Sequence, residues 1–412
     1  MPSAFNLRKL IAASAMSNLA DGVFQITLPL VTLGITRDPR AFASVTFVGR
    51  LPWLLVALPA GALADRLDRR RTMTLVNFGR AAIIAALCAV VAADLEQLWA
   101  LYVVAFVLGV GETMFDTAAQ SILPNIVNDP DQLSRSNGRL MVVELTTNQF
   151  IGPPIGAVIA GATLAGALGL SAIAYLVAGA ALLTLSGQFR PKRTGPPTRL
   201  RSDVAEGIGY LASHRLLRAL AVCVGISNLA STAMFSVLPL YIIDPGPVGL
   251  SAAGFGLLVT TTAAGSVAGS ALVPRLEHHL GPRKAILLAA ASFPLFSLAP
   301  AITTSVVWIG LGFFFAGALS ISWNIITVSL RQRIVPDHLL GRVNAGYRLL
   351  AWGTMPLGAA VGGLTAAEFG LTTTFWTATV LSALCVPIVL VAATNERLQP
   401  PPSPSAESSE SA

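Results

Sequence analysis

Residues 285–330 carry no charged side chain: one apolar stretch is broken only by Ser, Thr, Gly, Pro and Asn324. A helix needs roughly 20 apolar residues to cross the hydrocarbon core of a bilayer, and in that core only helices and closed barrels satisfy their own backbone groups. Similar runs recur near 10–35, 42–63, 72–93, 98–121, 137–162 and 167–188, then near 217–243, 251–274, 283–301, 304–330, 340–366 and 371–393. None shows the ten-residue alternation of a barrel strand. The expected fold is all-α and integral to the membrane, with twelve transmembrane helices. Composition agrees, since 11% of residues are charged against about 25% in a soluble domain. That is too little charge to coat the two or three soluble domains this length would make.

Cations fix the orientation, because short cytoplasmic loops collect Lys and Arg. Of the 27 Lys and Arg, 23 fall on one side, from Arg8 and Lys9 through Arg66–Arg71, Arg190–Arg218 and Arg331–Arg348 to Arg397. Both termini are therefore expected in the cytoplasm. The same bias accounts for the net charge of +7, so no nucleic-acid partner is needed. Arg8-Lys9 followed by "ASA" at 13–15 mimics a signal peptide, yet the apolar run continues to Ile35, as a first spanning helix does. Cys88, Cys223 and Cys385 sit in different spans with no His beside them. They read as small core residues, and neither metal nor cofactor is expected.

The chain also repeats itself. "SNLAD" at 17–21 returns as "SNLAS" at 227–231, and "LPL" at 28–30 returns at 238–240 with the same offset. "PDQL" (130–133) is answered by "PDHL" (336–339), Gly152 and Gly156 by Gly358 and Gly362, and Gly109 by Gly317. Two pseudo-symmetric six-helix bundles are expected, at 1–189 and 216–394. Between them lies a Pro- and Arg-rich cytoplasmic connector, 190–215, in which Val204, Ile208 and Leu211 have the spacing of an amphipathic helix on the inner membrane surface. The tail 395–412 is Pro, Ser and Glu with nothing to bury and reads as disordered. In duplicated transporters the substrate site lies near the midplane between the halves.

"GALADRLDRRR" (61–71) resembles the signature loop of the major facilitator superfamily, with Gly61, Asp65, Arg66, Arg69 and Arg70 in place and Asp68 where Gly is usual. "LGPRK" (280–284) is a degenerate second copy. The resemblance implies a cytoplasmic gate latch: Asp65 facing the N-terminal end of span eleven, and Arg69 paired with an acid of span four, here Asp116. The plain alternative is a positive-inside charge run. "GPPIG" (152–156) resembles the superfamily's antiporter signature in span five, through Gly152, Pro153 and Gly156. Asn148 and Ala157 stand where two further glycines belong. Such Gly- and Pro-rich segments also arise wherever membrane helices pack closely. With "SNLADGVFQITLPL", "ETMFDTAAQSILPNIV" and "GLSAAGFGLLVTTTAAGSVAGS", the whole chain is similar to the drug–proton antiporter branch that includes macrolide-efflux and siderophore exporters.

Charges inside spans mark functional candidates, because each costs about 2.5–3.5 kcal/mol at a helix centre. They are Asp21, Arg50, Arg80, Glu112, Asp116 and Glu144, all in the first half; opposite the acids stand Ser231, Ser320, Asn324 and Leu350. Asn18, Asp21 and Gln25, at i, i+3 and i+7, make a polar stripe that faces lipid badly. Asn228 is the counterpart of Asn18. The resemblance implies that spans one, two, four and five line a central cavity. Asp21 then either couples a proton or substrate, or merely pairs with Arg50. Glu112 and Asp116 repel at i, i+4 and need Arg69 or Arg80. Glu144 has Arg50 or a substrate cation to bind, and Arg50 and Arg80 read as neutralisers before anion ligands. Phe235, Phe255, Trp323, Asn324, Thr260–Thr262 and Trp352 offer apolar and aromatic walls, or simply packing.

The function expected is a secondary transporter, a proton-driven exporter of a hydrophobic or amphipathic small molecule. Its partners are that substrate, protons and the bilayer, and it is expected to act as a monomer. An importer or facilitator is the alternative. An enzyme is not expected, because His214, His278, His279 and His338 lack catalytic or metal spacing and no phosphate-binding loop is present. A receptor would carry a further folded domain. Arg outnumbers Lys 24 to 3, which points to a GC-rich bacterium and its inner membrane.

Overall fold

The structure, a computed structural model, describes residues 2–56, 67–127, 129–187, 189 and 200–394. Among them regular structure is helical throughout. The first helix, α1, spans Pro2–Ile35, and α2 spans Pro39–Leu55. α2 starts where Asp38 accepts a bond from the Arg40 amide and Pro39 fixes the first helical φ. The helix Arg69–Ala92 (α3) is capped by Asp68, whose Oδ1 accepts from the Arg71 amide at 2.9 Å. Leu98–Ile126 is α4. Pro130–Leu145 (α5), a π turn at Thr146–Ile151 and Gly152–Ala162 (α6) form one continuous helical rod. Leu164–Leu183 is α7.

The second half begins with Leu200–Ser213 (α8) and continues through Arg215–Phe235 (α9), Leu238–Ile242 (α10) and Ala252–Ala290 (α11). Ser292–Ile302 (α12), Val306–Ile334 (α13), Asp337–Gly353 (α14) and Met355–Phe369 (α15) follow, then Leu371–Ala383 (α16) and Cys385–Ala392 (α17). Gly281 and Gly370 take φ of 74° and 88°, a region that favours glycine, where the chain reverses between apolar segments.

Among the described residues, ten helical segments are long and apolar enough to cross a membrane. The other two expected spans fall on α2, which runs into residues outside the description, and on the α5–α6 rod. Outward-facing Leu75, Trp99, Ile173, Val307, Trp308 and Phe369 are all more than half exposed, as suits a surface solvated by lipid.

The sequence repeat is realised in packing. A Cβ placed on Gly156 would meet the Val23 backbone at 2.9 Å, and one on Gly362 the Ala233 carbonyl at 2.2 Å. Val23 and Ala233 are themselves 210 residues apart, the offset of the repeated phrase. Likewise Gly109 presses on the Gly49 carbonyl and Gly317 on that of Thr262. The glycines recur because equivalent helix pairs cross closely in both halves.

The halves share one apolar core at the end opposite the chain termini, where Val23, Ile26, Leu30 and Phe42 meet Met234, Tyr241, Phe313 and Phe375. At the termini-bearing end the cores are separate: Leu10, Met73, Phe115 and Ile122 in one half, Leu216, Ala285, Phe293 and Trp323 in the other. Trp323 thus packs edge-on to Phe293 inside the second half and is no cavity wall.

The connector differs from expectation. Residues 190–199 lie outside the description, and Leu211 on α8 is buried with Leu217, Val335, Val343 and Tyr347 instead of lying on the membrane. Gly207 permits this, since a Cβ there would strike the Arg342 carbonyl.

Candidate functional site

Three helices bring one acid, one cation and one phenol together in the first half. Asp21 on α1 is 9% exposed, Arg80 on α3 is 2% and Tyr175 on α7 is 0%. Asp21 Oδ1 accepts bonds from Arg80 Nη2 and, at 2.6 Å, from Tyr175 Oη. The Arg80 guanidinium also lies over the Tyr175 ring, 4.3 Å from its centroid. Apolar side chains flank the triad: Ala20, Phe24, Ala81, Ile84, Leu168 and Ala174 pack in the same buried cluster as Tyr175. A buried ion pair is tolerable only when its remaining bonds are met, and Tyr175 meets one of them. The expected static partner of Asp21, Arg50, is not that partner. Arg50 is half-buried on α2 and forms no ion pair among the described residues.

Arg80 serves further acids. Its aliphatic stem packs on Gly111 of α4, where a Cβ would come within 2.8 Å of Cδ. Glu112, next along α4, lies within electrostatic reach of Asp21 and Arg80, and Asp116 feels Glu112, Glu144, Asp21 and Arg80. Glu144, exposed near the end of α5, faces Glu112 and also Arg348 of the second half. Asp21, Glu112 and Asp116 therefore gather about Arg80, and Glu144 joins this group to Arg348. Such a cluster can hold a proton or a cation, and moving one charge rearranges the pairing of the rest.

Arg348 brings a second-half charge to this cluster, although the positions opposite the acids are neutral. It lies within α14, donates to Gln120 Oε1 on α4 at 3.0 Å and stacks near Trp352. Trp352 in turn meets Trp53 of α2 edge-on, with ring centroids 4.1 Å apart.

The expected polar stripe of α1 divides. Asn18 is buried and donates to the Ser14 carbonyl of its own helix. Gln25 is exposed and donates to Asn148 Oδ1 on the π turn at 3.1 Å. Asn228 donates to the Ala351 carbonyl and so ties α9 to α14. Asn324 is exposed on α13.

Of the signature loop, Gly61, Asp65 and Arg66 lie outside the described residues. Arg69 is visible and does not pair with Asp116: its Nη1 donates to Asn125 Oδ1 at the end of α4. Asp116 stands nine residues earlier on α4, about 13 Å deeper at 1.5 Å per residue, too far for Arg69 to reach. Arg70 Nη1 donates to the Leu185 carbonyl at 2.6 Å. Asp68 has φ of −67°, so its departure from Gly needs no left-handed backbone and supplies a helix cap instead.

Gly152, Pro153 and Gly156 are buried against α1. A Cβ on Gly152 would fall 2.7 Å from Gly22 Cα, and one on Gly22 2.4 Å from the Asn148 carbonyl. Pro153 and Pro154 remove two helical donors just past the π turn, and that wider turn absorbs the mismatch. Tyr175 and the Asp21–Arg80 pairing were not anticipated. The available signal was Ser171 and Tyr175 at i, i+4 on an otherwise apolar span.

An apolar groove of about 500 Å³ between α11 and α13 is lined by Leu250, Leu257, Leu258, Thr261, Val307 and Phe314. It takes nothing from the acid cluster and belongs to the outer face.

Residues 3–410 match the family described as transmembrane secretion effector, within the major facilitator superfamily. The multidrug efflux pump Tap of Mycobacterium tuberculosis is 28% identical over 404 residues, covering 92% of this chain and 90% of that protein. The enterobactin exporter EntS of Salmonella typhimurium is 24% identical over 345 residues, covering 82% and 80%. Among solved structures, the nucleoside transporter NupG superimposes with a TM-score of 0.73 at 12% identity, covering 94% of this chain and 98% of that one.

Proposed function

The chain belongs to the transmembrane secretion effector family of the major facilitator superfamily, and on that premise we propose that it exports a hydrophobic or amphipathic small molecule in exchange for protons. It is a membrane transporter and not an enzyme. The proposal extends to a monomer in a bacterial inner membrane, with twelve spans in two bundles (1–189 and 216–394), the connector 190–215 and the tail 395–412 on the cytoplasmic side with both termini. Export as the direction is supported by the relatives, named as a multidrug efflux pump and an enterobactin exporter.

One observation carries the coupling: a buried carboxylate, Asp21, held by Arg80 and Tyr175 beside two further acids that compete for the same cation. Protonating Asp21 cancels its charge, and Arg80 then neutralises Glu112 or Asp116 on α4. Proton binding thereby moves a cation's allegiance from α1 to α4, and the halves rock about the midplane between an inward and an outward opening. Ser231 at the matching position gives the second half no such switch. A potential of 100 mV supplies about 2.3 kcal/mol per charge moved, roughly fifty-fold accumulation at about 1.4 kcal/mol per tenfold.

The test compares wild type with Asp21→Asn in an efflux-deficient host, screening drugs and metabolites for reduced accumulation. Substrate-dependent proton movement is then followed in vesicles. The expected result is loss of both export and proton movement. Unchanged proton coupling in Asp21→Asn removes Asp21 from the mechanism, and proton-independent transport in wild type makes the protein a facilitator.

A further inference from the structure

Among the described residues, a column of buried polar groups leads from Asp21 to one face of the molecule. Helices α1 and α3 both pack on α7 and reach one another mainly through side chains. They run parallel, so residues about sixty apart stand level. Asp21 meets Arg80, and one turn nearer the termini Ser17 Oγ donates to Asn77 Oδ1 at 3.1 Å; the same sixty-residue register sets Ser14 opposite Thr74 one turn further. Arg70 completes the row at the surface, where it holds the Leu185 carbonyl at the end of α7. Arg70, Thr74 and Asn77 occupy one side of α3 at i, i+4 and i+7, with Arg80 adjoining. From Arg70 to Arg80 the column is about 15 Å long.

These groups are buried and incompletely partnered. Thr74 is 5% exposed, Asn77 0% and Arg80 2%. Among the described residues Thr74 Oγ1, Asn77 Nδ2, Arg80 Nε and Arg80 Nη1 have no hydrogen-bond partner. Four such atoms along one seam are rare in a folded protein, because a buried polar group without a partner costs about 1–3 kcal/mol. Ordered water is the usual remedy where a site is polar and has several partners to offer. Ala178 on α7, 0% exposed, presents only a methyl group on the termini side of Tyr175.

In the opposite direction the seam is apolar. Phe24, Ile84, Leu87 and Leu168 close it. Thr27 and Thr32 bond back to carbonyls of their own helix.

The geometry points to a proton-release path: the proton on Asp21 leaves along the α1–α3–α7 seam, through water held by Asn77, Thr74 and Ser17, to the termini-bearing face at Arg70. Substrate uses the cavity between the halves and not this seam. The inference rests on the reading that Asp21 carries the coupled proton. The carboxyl O–H breaks and its proton passes to a seam water. Hydroxyls and waters hand a proton on in turn, and one reaches bulk solvent. Arg80 keeps its own proton throughout, since guanidinium does not titrate in proteins, and serves to order the water beside the carboxylate. Groups facing Asp21 are Arg80 on α3, Tyr175 on α7, and Glu112 and Asp116 on α4.

The experiment needs no transported substrate. The full chain, reconstituted in lipid vesicles, is given a pH jump, and the carboxylic C=O stretch is followed by time-resolved infrared difference spectroscopy. Asp21→Asn assigns the band. Asn77→Leu fills the seam with a side chain of similar shape and no polar atom, and Asn77→Ser keeps one. The expected result is an Asp21 relaxation slowed about tenfold or more in Asn77→Leu, largely restored in Asn77→Ser, at an unchanged titration midpoint. Ser17→Ala, which barely perturbs packing, slows it in the same direction and covers the case of Asn77→Leu failing to fold. Wild-type rates in both Asn77→Leu and Ser17→Ala overturn the path and put release through the cavity. A moved midpoint with an unchanged rate makes Asn77 structural and also overturns it. No titrating Asp21 band in wild type overturns the coupling reading itself.

Discussion

At the scale of single residues, the Asp21–Arg80–Tyr175 triad sets what each member contributes. Removing one partner from a buried ion pair strands the other charge, at a cost of about 3–5 kcal/mol. Arg80→Met is therefore expected to destabilise the protein by that order, seen as a lowered unfolding midpoint in detergent micelles. The double variant Asp21→Asn with Arg80→Met recovers part of the loss, because the Asp21 charge leaves with its partner and only the weaker claims of Glu112 and Asp116 on Arg80 stay unmet. If the single and double variants unfold alike, the pair is not what holds α1 to α3. Tyr175→Phe deletes only the hydroxyl that donates to Asp21 Oδ1 at 2.6 Å. Its expected cost is about 1.5–3 kcal/mol, the range for hydrogen bonds to charged groups, with no change in helix content by circular dichroism.

At the scale of helices, α1 and the α5–α6 rod meet through glycine. Gly22→Ala puts a methyl group 2.4 Å from the Asn148 carbonyl, and overpacking of this kind costs about 1–3 kcal/mol. The same stroke moves the π turn that presents Asn148 to Gln25, so transport falls along with stability. Gly79→Ala is the control: its Cβ meets nothing within 4 Å, and alanine is the better helix former. Its unfolding midpoint is expected at or above wild type. Equal losses from both substitutions would mean that backbone flexibility, and not close approach, explains these glycines.

For the whole molecule, the question is how the halves are fastened. Opposite the termini, Arg40 of α2 pairs with Glu368 of α15, and Arg37 Nη2 donates to the Asp244 carbonyl at 2.9 Å. Gly363 lies against Ala43 and Pro39, and Gly256 against Ala157. At the other end the described side-chain bond between halves is Arg348 to Gln120. The Arg40–Glu368 pair is half-exposed, so its worth in stability is about 0–1 kcal/mol. A rocking equilibrium only a few kcal/mol deep still responds to that much. Arg40→Glu is expected to open this end. Cysteines introduced by Ala43→Cys and Gly363→Cys should cross-link readily in the parent and several-fold more slowly with Arg40→Glu, while adding Glu368→Arg restores the rate. Cross-linking that ignores both charges would leave the apolar core as the sole fastening.

The membrane class, the helical segments and the internal repeat were legible in the chain, because apolar run length and glycine spacing are local properties. So were Asp21, Glu112, Asp116 and Glu144, since a charge in an apolar run declares itself. Partners were not legible. Arg80 and not Arg50 answers Asp21, Asn125 and not Asp116 answers Arg69, and Arg348 enters from the second half. Which side chains meet depends on helix rotation and depth, and a one-residue change turns a side chain by about 100° around its helix. Along the chain Tyr175 is one more aromatic in an apolar span, and only the packing of α7 beside α1 brings its hydroxyl to Asp21. The sequence by itself determined that this chain crosses a membrane repeatedly, in two related halves, carrying embedded acids. Only the tertiary structure decided which cation those acids share, and that a polar seam beside them runs to one face. Pairing in a low-dielectric interior depends on distances between helices that no stretch of chain encodes alone.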